Sequence, residues 1–416
     1  MNKINYLKHL GENSKKASRV IANLSSVAKK DLLIKIAGNL LKETDQILKE
    51  NQKDLQTAEE NKLSKAMIDR LLLTEDRIKN MATSIVEIAE LTEPIGQMEN
   101  MQVRPSGIRV GQMRVPIGVL AVIFESRPNV TTDLAALSIK SGNAVILRGG
   151  KESIHSNLAL YEVILQSLKE LGYPEGIVTL ITKTDRDLVP LLLKMNEYID
   201  LVIPRGGEGL IKMVTQETNI PIIKHDKGLC HIFVDESAEE EMANNVVLNA
   251  KVQRPGVCNA VETLLIHEKY KNPKSLLQVL LKHQVEIRGC LQTVKLLPKE
   301  IKEAQTEDWD TEYLDLIISV RIVDSLETAM KHIERHSSNH SEAIITSNYF
   351  KAEKFVKEVD SSAVFVNAST RFHDGGEFGL GAEVGISTQK LHARGAMGIK
   401  GLTTLKYVVR GEGEIR

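Results

Sequence analysis

The sequence predicts an α/β protein: two doubly wound, parallel-sheet domains and a small β excursion, preceded by a helical region. Three observations carry this. Short continuous apolar runs alternate with longer amphipathic stretches from Ile117 to Thr215, and again from His231 to Val359. The first 93 residues contain no proline and only two glycines, Gly11 and Gly38, with apolar residues recurring at three and four. The length of 416 residues corresponds to two or three domains at roughly 150 residues each.

In order along the chain, Val20, Ile21, Leu24 and Val27, then Leu32, Leu33, Ile36, Leu40 and Leu41, mark successive amphipathic helices, with another over Asp69–Leu91. Residues 101–115 alternate apolar and polar around Pro105-Ser106-Gly107, a hairpin signal outside the main sheet. The first parallel series has strands at 117–124, 143–148, 176–181, 200–203 and 221–224. Helices over Thr131–Ser141, Ser153–Leu171, Arg186–Met195 and Glu208–Thr215 separate them. Ligands of such sheets bind at the carboxyl ends of the strands. The second series has strands at 231–235, 262–267, 317–323, 342–346 and 363–367, with helices near 239–252, 274–283, 326–336 and 349–359. A glycine-rich stretch and a terminal strand, 403–409, complete the chain.

Composition excludes several classes. With 54 basic and 55 acidic residues the net charge is −1, which argues against a general nucleic-acid binder. Aromatics at 4% give no stacking platform for single strands. No run approaches the ~20 apolar residues of a membrane span, and the polar start does not read as a secretory signal. Three widely spaced cysteines, Cys230, Cys258 and Cys290, do not make a disulfide framework and fit a reducing cytoplasm.

Five stretches are candidate sites. Cys258 lies in NAKVQRPGVCNAVET, where Pro255 and Gly256 break the preceding helix and leave the thiol on a turn before a strand. Such a turn can expose a nucleophile and aim backbone N–H groups at one point, with Arg254 as a local cation. The alternative is a small buried hydrophobe, which is also the reading for Cys230 and Cys290. IPRGGEGL, with Gly206 and Gly207, follows a strand and opens a helix, so it is a phosphate-binding helix start or a plain tight turn. Arg148 and Lys151 in LRGGKES follow a strand, where cations suit a ribose or a 2′-phosphate, or are simply solvated. Arg127 and Asn129 in FESRPNVTTD offer donors to a ligand, or Asn129 caps the next helix. The segment 367–388 carries too much glycine for regular structure and reads as a site loop or a long surface loop. No metal-ligand motif or P-loop occurs, so no metal is expected.

These pieces, in this order, resemble the aldehyde dehydrogenase superfamily, and over essentially the whole chain its branch that reduces an amino-acid acyl phosphate. The strings that carry the resemblance are VPIGVLAVIFESRPNVTTDLAALSIKSGNAVILRGGKE, IPRGGEGL, KHDKGLCHIFVD, VQRPGVCNAVETLL and HDGGEFGLGAEVGISTQKLHARGAMGIKGLTT. The resemblance implies an NADPH-binding domain (1–100 and 116–229), a catalytic domain carrying Cys258 (230–385) and an oligomerisation flap (101–115 and 400–416). It implies NADPH-dependent reduction of L-glutamyl 5-phosphate to the semialdehyde through a Cys258 thioester, in proline biosynthesis. Cys258 and Asn129 become the catalytic candidates. Arg148, Lys151, Gly206, Gly207 and Glu312 are the cofactor candidates. Arg127, Lys224, His225 and Arg254 are the substrate candidates. The implied partners are a second copy of the chain and, transiently, the glutamate 5-kinase that makes the substrate. One departure is informative: hydrolytic members carry a water-activating Glu upstream of the cysteine, where this chain reads IIKHDKG. The alternatives are a CoA-dependent acylating relative and a catalytically inactive one.

Overall fold

The computed structural model describes residues 2–224 and 227–416. The chain forms two compact units: Met1–Lys224 with Gly379–Gly385 and Met397–Arg416, and His225–Phe378 with Ile386–Ala396.

The first unit begins with helices Lys3–Ile21, Ser26–Lys42, Thr44–Glu60, Lys65–Leu71 and Glu75–Glu90. Side chains of Asn2, Ser25, Ser64 and Thr74 accept backbone N–H bonds at four of the five starts, satisfying donors a helix cannot satisfy itself. The single helix expected over 69–91 is two. Thr74 caps the second, and the Arg77 guanidinium donates to the carbonyls of Asp69 and Leu72, fixing the break. Helix Ile154–Glu170 lacks a cap of its own; the Asp54 carboxylate reaches over to accept from the His155 and Ser156 amides.

Four parallel strands follow in the spatial order Val178–Leu180, Ala144–Arg148, Val119–Phe124 and Leu201–Arg205. Nearly every residue in them is buried, as a sheet covered on both faces requires. Two expectations are corrected. The segment 221–224 is no strand but touches the sheet by a single bridge, Val202 to Ile222. The helix expected over 186–195 shrinks to Leu188–Leu192. Strands Met98–Val103, Arg109–Pro116 and Thr403–Arg410 form a separate antiparallel sheet with Arg109–Pro116 in the middle.

The second unit holds a seven-stranded parallel sheet. Its order is Lys302–Glu303, Glu286–Gly289, Ile317–Val323, Val261–His267, Cys230–Val234, Ser341–Ile345 and Ala363–Val366. The first two strands escape sequence reading because they are short and half polar. Alternation along each strand divides the core. Ile232, Leu264 and Ile345 pack with Val247 and Leu277 on one face, while Phe233, Leu265 and Ile344 pack with Ile333 and Phe355 on the other. The glycine-rich stretch is divided: residues 367–378 and 386–388 belong to the second unit and 379–385 to the first, where Gly381 (φ +78°) lies against Leu91 and has no room for a Cβ.

Candidate functional site

In the second unit, the loops that precede four neighbouring strands gather at the amino end of the sheet. They are 227–229, 253–260, 311–316 and 337–340, ahead of the strands that start at Cys230, Val261, Ile317 and Ser341. Cys258 sits half-buried in the second of these loops, between helix Glu240–Val252 and its strand. The general preference for carboxyl ends therefore does not hold for this residue.

The turn is braced from beneath. Gly228 passes so close that a Cβ on it would lie 2.1 Å from the Cys258 carbonyl oxygen and 2.4 Å from its Cα. The Gly228 amide donates to Glu312 Oε1 at 3.0 Å, and the Leu229 amide to Ser338 Oγ at 2.9 Å, which hold this strand of chain in place. The Cys230 thiol donates to the Cys258 carbonyl at 3.2 Å. Burial, seconded by the Glu342 carboxylate, pushes the Cys230 thiol well above its ordinary value and keeps it a protonated donor. Cys230 thus packs, as expected of a buried cysteine, and also supports the turn. Cys290 meets Thr293 Oγ1 at 3.3 Å on a different strand end.

From the side, residues 370–373 grip Asn259. Thr370 Oγ1 donates to the Asn259 carbonyl at 2.7 Å, and Asn259 Nδ2 donates to the His373 carbonyl at 3.0 Å. Arg371 Nη1 donates to Asn259 Oδ1, and Arg371 Nε to Gln253 Oε1 at 2.7 Å. His373 shares Ser341 Oγ with His340, each Nδ1 at 2.8 Å, and burial lowers His373 to about 4, so it stays neutral. Below the turn, Lys251 Nζ and Glu262 Oε2 form a fully buried pair at 2.7 Å, and Glu262 Oε1 accepts from the Leu314 amide. Burial drives the Glu262 carboxyl up, while the Lys251 charge resists. Neither Arg371 nor this pair is marked by spacing in the sequence; only the unusual glycine content around NASTRF points to that segment.

The other predicted residues fall mostly in the first unit, at the carboxyl edge of its four-stranded sheet. Arg127 and Asn129 follow Val119–Phe124, Arg148 ends and Lys151 follows Ala144–Arg148, and Gly206 and Gly207 follow Leu201–Arg205. Arg148 donates to the carbonyls of Gly149 (2.6 Å) and Thr184 (3.3 Å), while its buried Nε has no hydrogen-bond partner. Burial lowers the Arg148 guanidinium, Glu152 opposes this, and the like charge of Arg186 adds to it. Lys151 is exposed at the start of the turn leading into helix Ile154–Glu170. An orphaned N–H among cations at a strand's carboxyl end fits the phosphate-bearing part of a nicotinamide dinucleotide.

Helix Glu208–Glu217 opens directly after its strand, with Gly207 at the cap position. The Glu125 carboxylate already accepts from the Gly207 amide at 3.1 Å, and Gly206 lacks a side chain because Glu125 and Leu210 fill that space. Asn129 does not cap the next helix; Pro128 holds the cap position, and Asn129 Nδ2 donates to Asp133 at 2.8 Å. Lys224 is half-buried beyond the single bridge at Ile222, and His225 lies outside the described residues. In the second unit Arg254 is exposed on the Cys258 turn, and the Glu312 carboxylate is engaged by Gly228.

Comparison with known proteins agrees with this architecture. The sequence model of the Aldehyde dehydrogenase family matches residues 13–286. A gamma-glutamyl phosphate reductase of Caldanaerobacter subterraneus is 53% identical over 407 residues, 97% of this chain and 98% of that one. One from Clostridium kluyveri is 51% identical over 97% of each chain. The crystal structure of gamma-glutamyl phosphate reductase from Thermotoga maritima superposes with a TM-score of 0.97 at 45% identity, covering 99% of both chains. An acetylating aldehyde dehydrogenase of Geobacillus thermoglucosidasius shares the fold, with a TM-score of 0.73 at 16% identity over 100% of this chain and 98% of its own. The chain is therefore an oxidoreductase of the aldehyde dehydrogenase family and belongs to its gamma-glutamyl phosphate reductase branch.

Proposed function

We propose that the chain reduces L-glutamyl 5-phosphate to L-glutamate 5-semialdehyde and phosphate with NADPH, in proline biosynthesis, through a thioester on Cys258. The observation that carries this reading is the Cys258 turn, braced by Gly228, Cys230 and Arg371 so that one thiol is presented in a fixed place. The thiolate attacks the acyl carbon, the carbon–oxygen bond to phosphate breaks, and phosphate departs with the electron pair. Arg254, on the same turn, stabilises the anion. NADPH, when bound, would supply a hydride to the acyl carbon of the thioester. Collapse of the resulting thiohemiacetal breaks the carbon–sulfur bond and regenerates the thiolate. Arg148 and Lys151 would hold the 2′-phosphate of the cofactor. No glutamate stands in the segment 221–229, which protects the thioester from hydrolysis. The separate three-stranded sheet, with Met101, Val103, Tyr407 and Val409 exposed, is the surface on which a second copy assembles.

The test runs the reaction backwards. Purified protein with glutamate semialdehyde and NADP⁺ forms NADPH only when inorganic phosphate is present, and Cys258→Ala abolishes the reaction. NADPH formation that ignores phosphate, or that needs CoA instead, overturns the proposal.

A further inference from the structure

One guanidinium ties together both ends of the turn that carries the nucleophile. Arg371 binds Gln253 through Nε and Asn259 through Nη1, so the six-residue reach from Gln253 to Asn259 closes on a single planar group. Asn259 is the residue next to Cys258, and its carbonyl and amide are held by Thr370 and His373 from the same segment. A second cation, Arg254, belongs to the turn itself. Burial, seconded by the like charge of Arg254, lowers the Arg371 guanidinium, while Asp374 acts in the opposite sense. Arg371 is thus fastened to the residue next to the thiol, and Arg254 and Asp374 are the charged side chains that act on it. A guanidinium held in this position, with a second one on the same turn, favours an arriving anion.

The geometry points to Arg371 as the recognition residue of an oxyanion subsite beside Cys258, one that takes the phosphate or a carboxylate of the acidic substrate. The subsite rests on the reading of Cys258 as the nucleophile. Gln253 and Asn259 fix the fork through two of its nitrogens, so the charge is already oriented when substrate arrives. An acyl phosphate carries its leaving oxygen one bond from the attacked carbon. A cation bonded to the residue next to Cys258 is therefore placed for that oxygen, and a carboxylate elsewhere on the substrate is the other anion it can hold.

The test compares an anionic with a neutral alkylating reagent. Cys258 modification by iodoacetate and by iodoacetamide is followed by mass spectrometry in the wild type, Arg371→Lys and Arg371→Gln. A nearby positive charge favours iodoacetate, so the rate ratio should fall about fivefold in Arg371→Gln and stay within about twofold in Arg371→Lys. A residue that only braces the turn would slow both reagents alike and leave the ratio unchanged, which overturns the subsite. Inorganic phosphate and L-glutamate are then tried as protectants. Loss of protection by phosphate alone in Arg371→Gln assigns the leaving group, and loss by glutamate alone assigns the carboxylate. Protection by both, unchanged, counts against the subsite. A Cys258 that reacts with neither reagent in the wild type refutes the nucleophile reading, a result distinct from a reactive Cys258 with an unaltered ratio.

Discussion

Gly228→Ala adds one methyl group where the structure has no space for it. The new Cβ would lie 2.1 Å from the Cys258 carbonyl oxygen, 2.4 Å from its Cα and 2.6 Å from its carbonyl carbon. All three are backbone atoms, so no side-chain rotation relieves the contact. Reaching the 3.0 Å that real Cβ atoms respect needs a separation of about 0.9 Å. Either the chain at Gly228 retreats, straining the hydrogen bonds that the Gly228 and Leu229 amides donate to Glu312 and Ser338, or the nucleophile moves. A displacement near 1 Å costs about a hundredfold in rate, or ~2.7 kcal/mol at the transition state. The assay is kcat/KM for phosphate-dependent NADP⁺ reduction, alongside the iodoacetamide rate at Cys258 and the thermal midpoint. The expected variant is folded, alkylates abnormally and has lost about two orders of magnitude in kcat/KM. A folded variant within about twofold of wild type would refute the argument that Gly228 sets the position of the thiol.

Other outcomes follow from single features. Burial raises the Asp133 carboxyl to about 6, with the Asn129 bond and Arg205 opposing. Its folded value exceeds the unfolded one, so its stabilising share is complete below pH ~4 and is lost as pH rises through about 6. Asp133→Asn, compared with wild type by urea unfolding, should therefore gain about 1–2 kcal/mol at pH 8 relative to pH 4, and an identical pH dependence in the two proteins would contradict this. Thr74→Ala removes the cap that splits the 65–90 region and should cost about 1 kcal/mol in the same measurement; no change would mean that Arg77 alone holds the break. Lys151→Ala should raise the KM for NADPH roughly tenfold and leave that for NADH nearly unchanged, and equal effects on both cofactors would remove Lys151 from the 2′-phosphate site.

Element types along the chain were legible because burial on both faces of a parallel sheet demands short apolar runs, and the helices between them need one apolar stripe. Ile317–Val323 and Leu326–His336 appear where the pattern puts them. Each failure has an identifiable cause. Thr74 and Arg77 interrupt an apolar periodicity that continues across them. Glu286–Gly289 is held as a strand by parallel pairing with Ile317–Val320, a partner far along the chain. Asn129 reads as a helix cap until Asp133 is seen to receive its amide.

The site divides in the same way. By itself the sequence determined that Cys258 stands on a turn, because Pro255 and Gly256 stop a helix just before a strand, and that cations follow the strand at Arg148. Only the tertiary structure decided what surrounds the thiol. Gly228, Cys230, Glu312 and Arg371 come from segments up to 113 residues from Cys258, and none carries a spacing signal relative to it. Local pattern encodes backbone conformation within a few residues. The company a side chain keeps depends on which strands lie next to each other in the sheet, and adjacency of that kind is created only when the chain closes on itself.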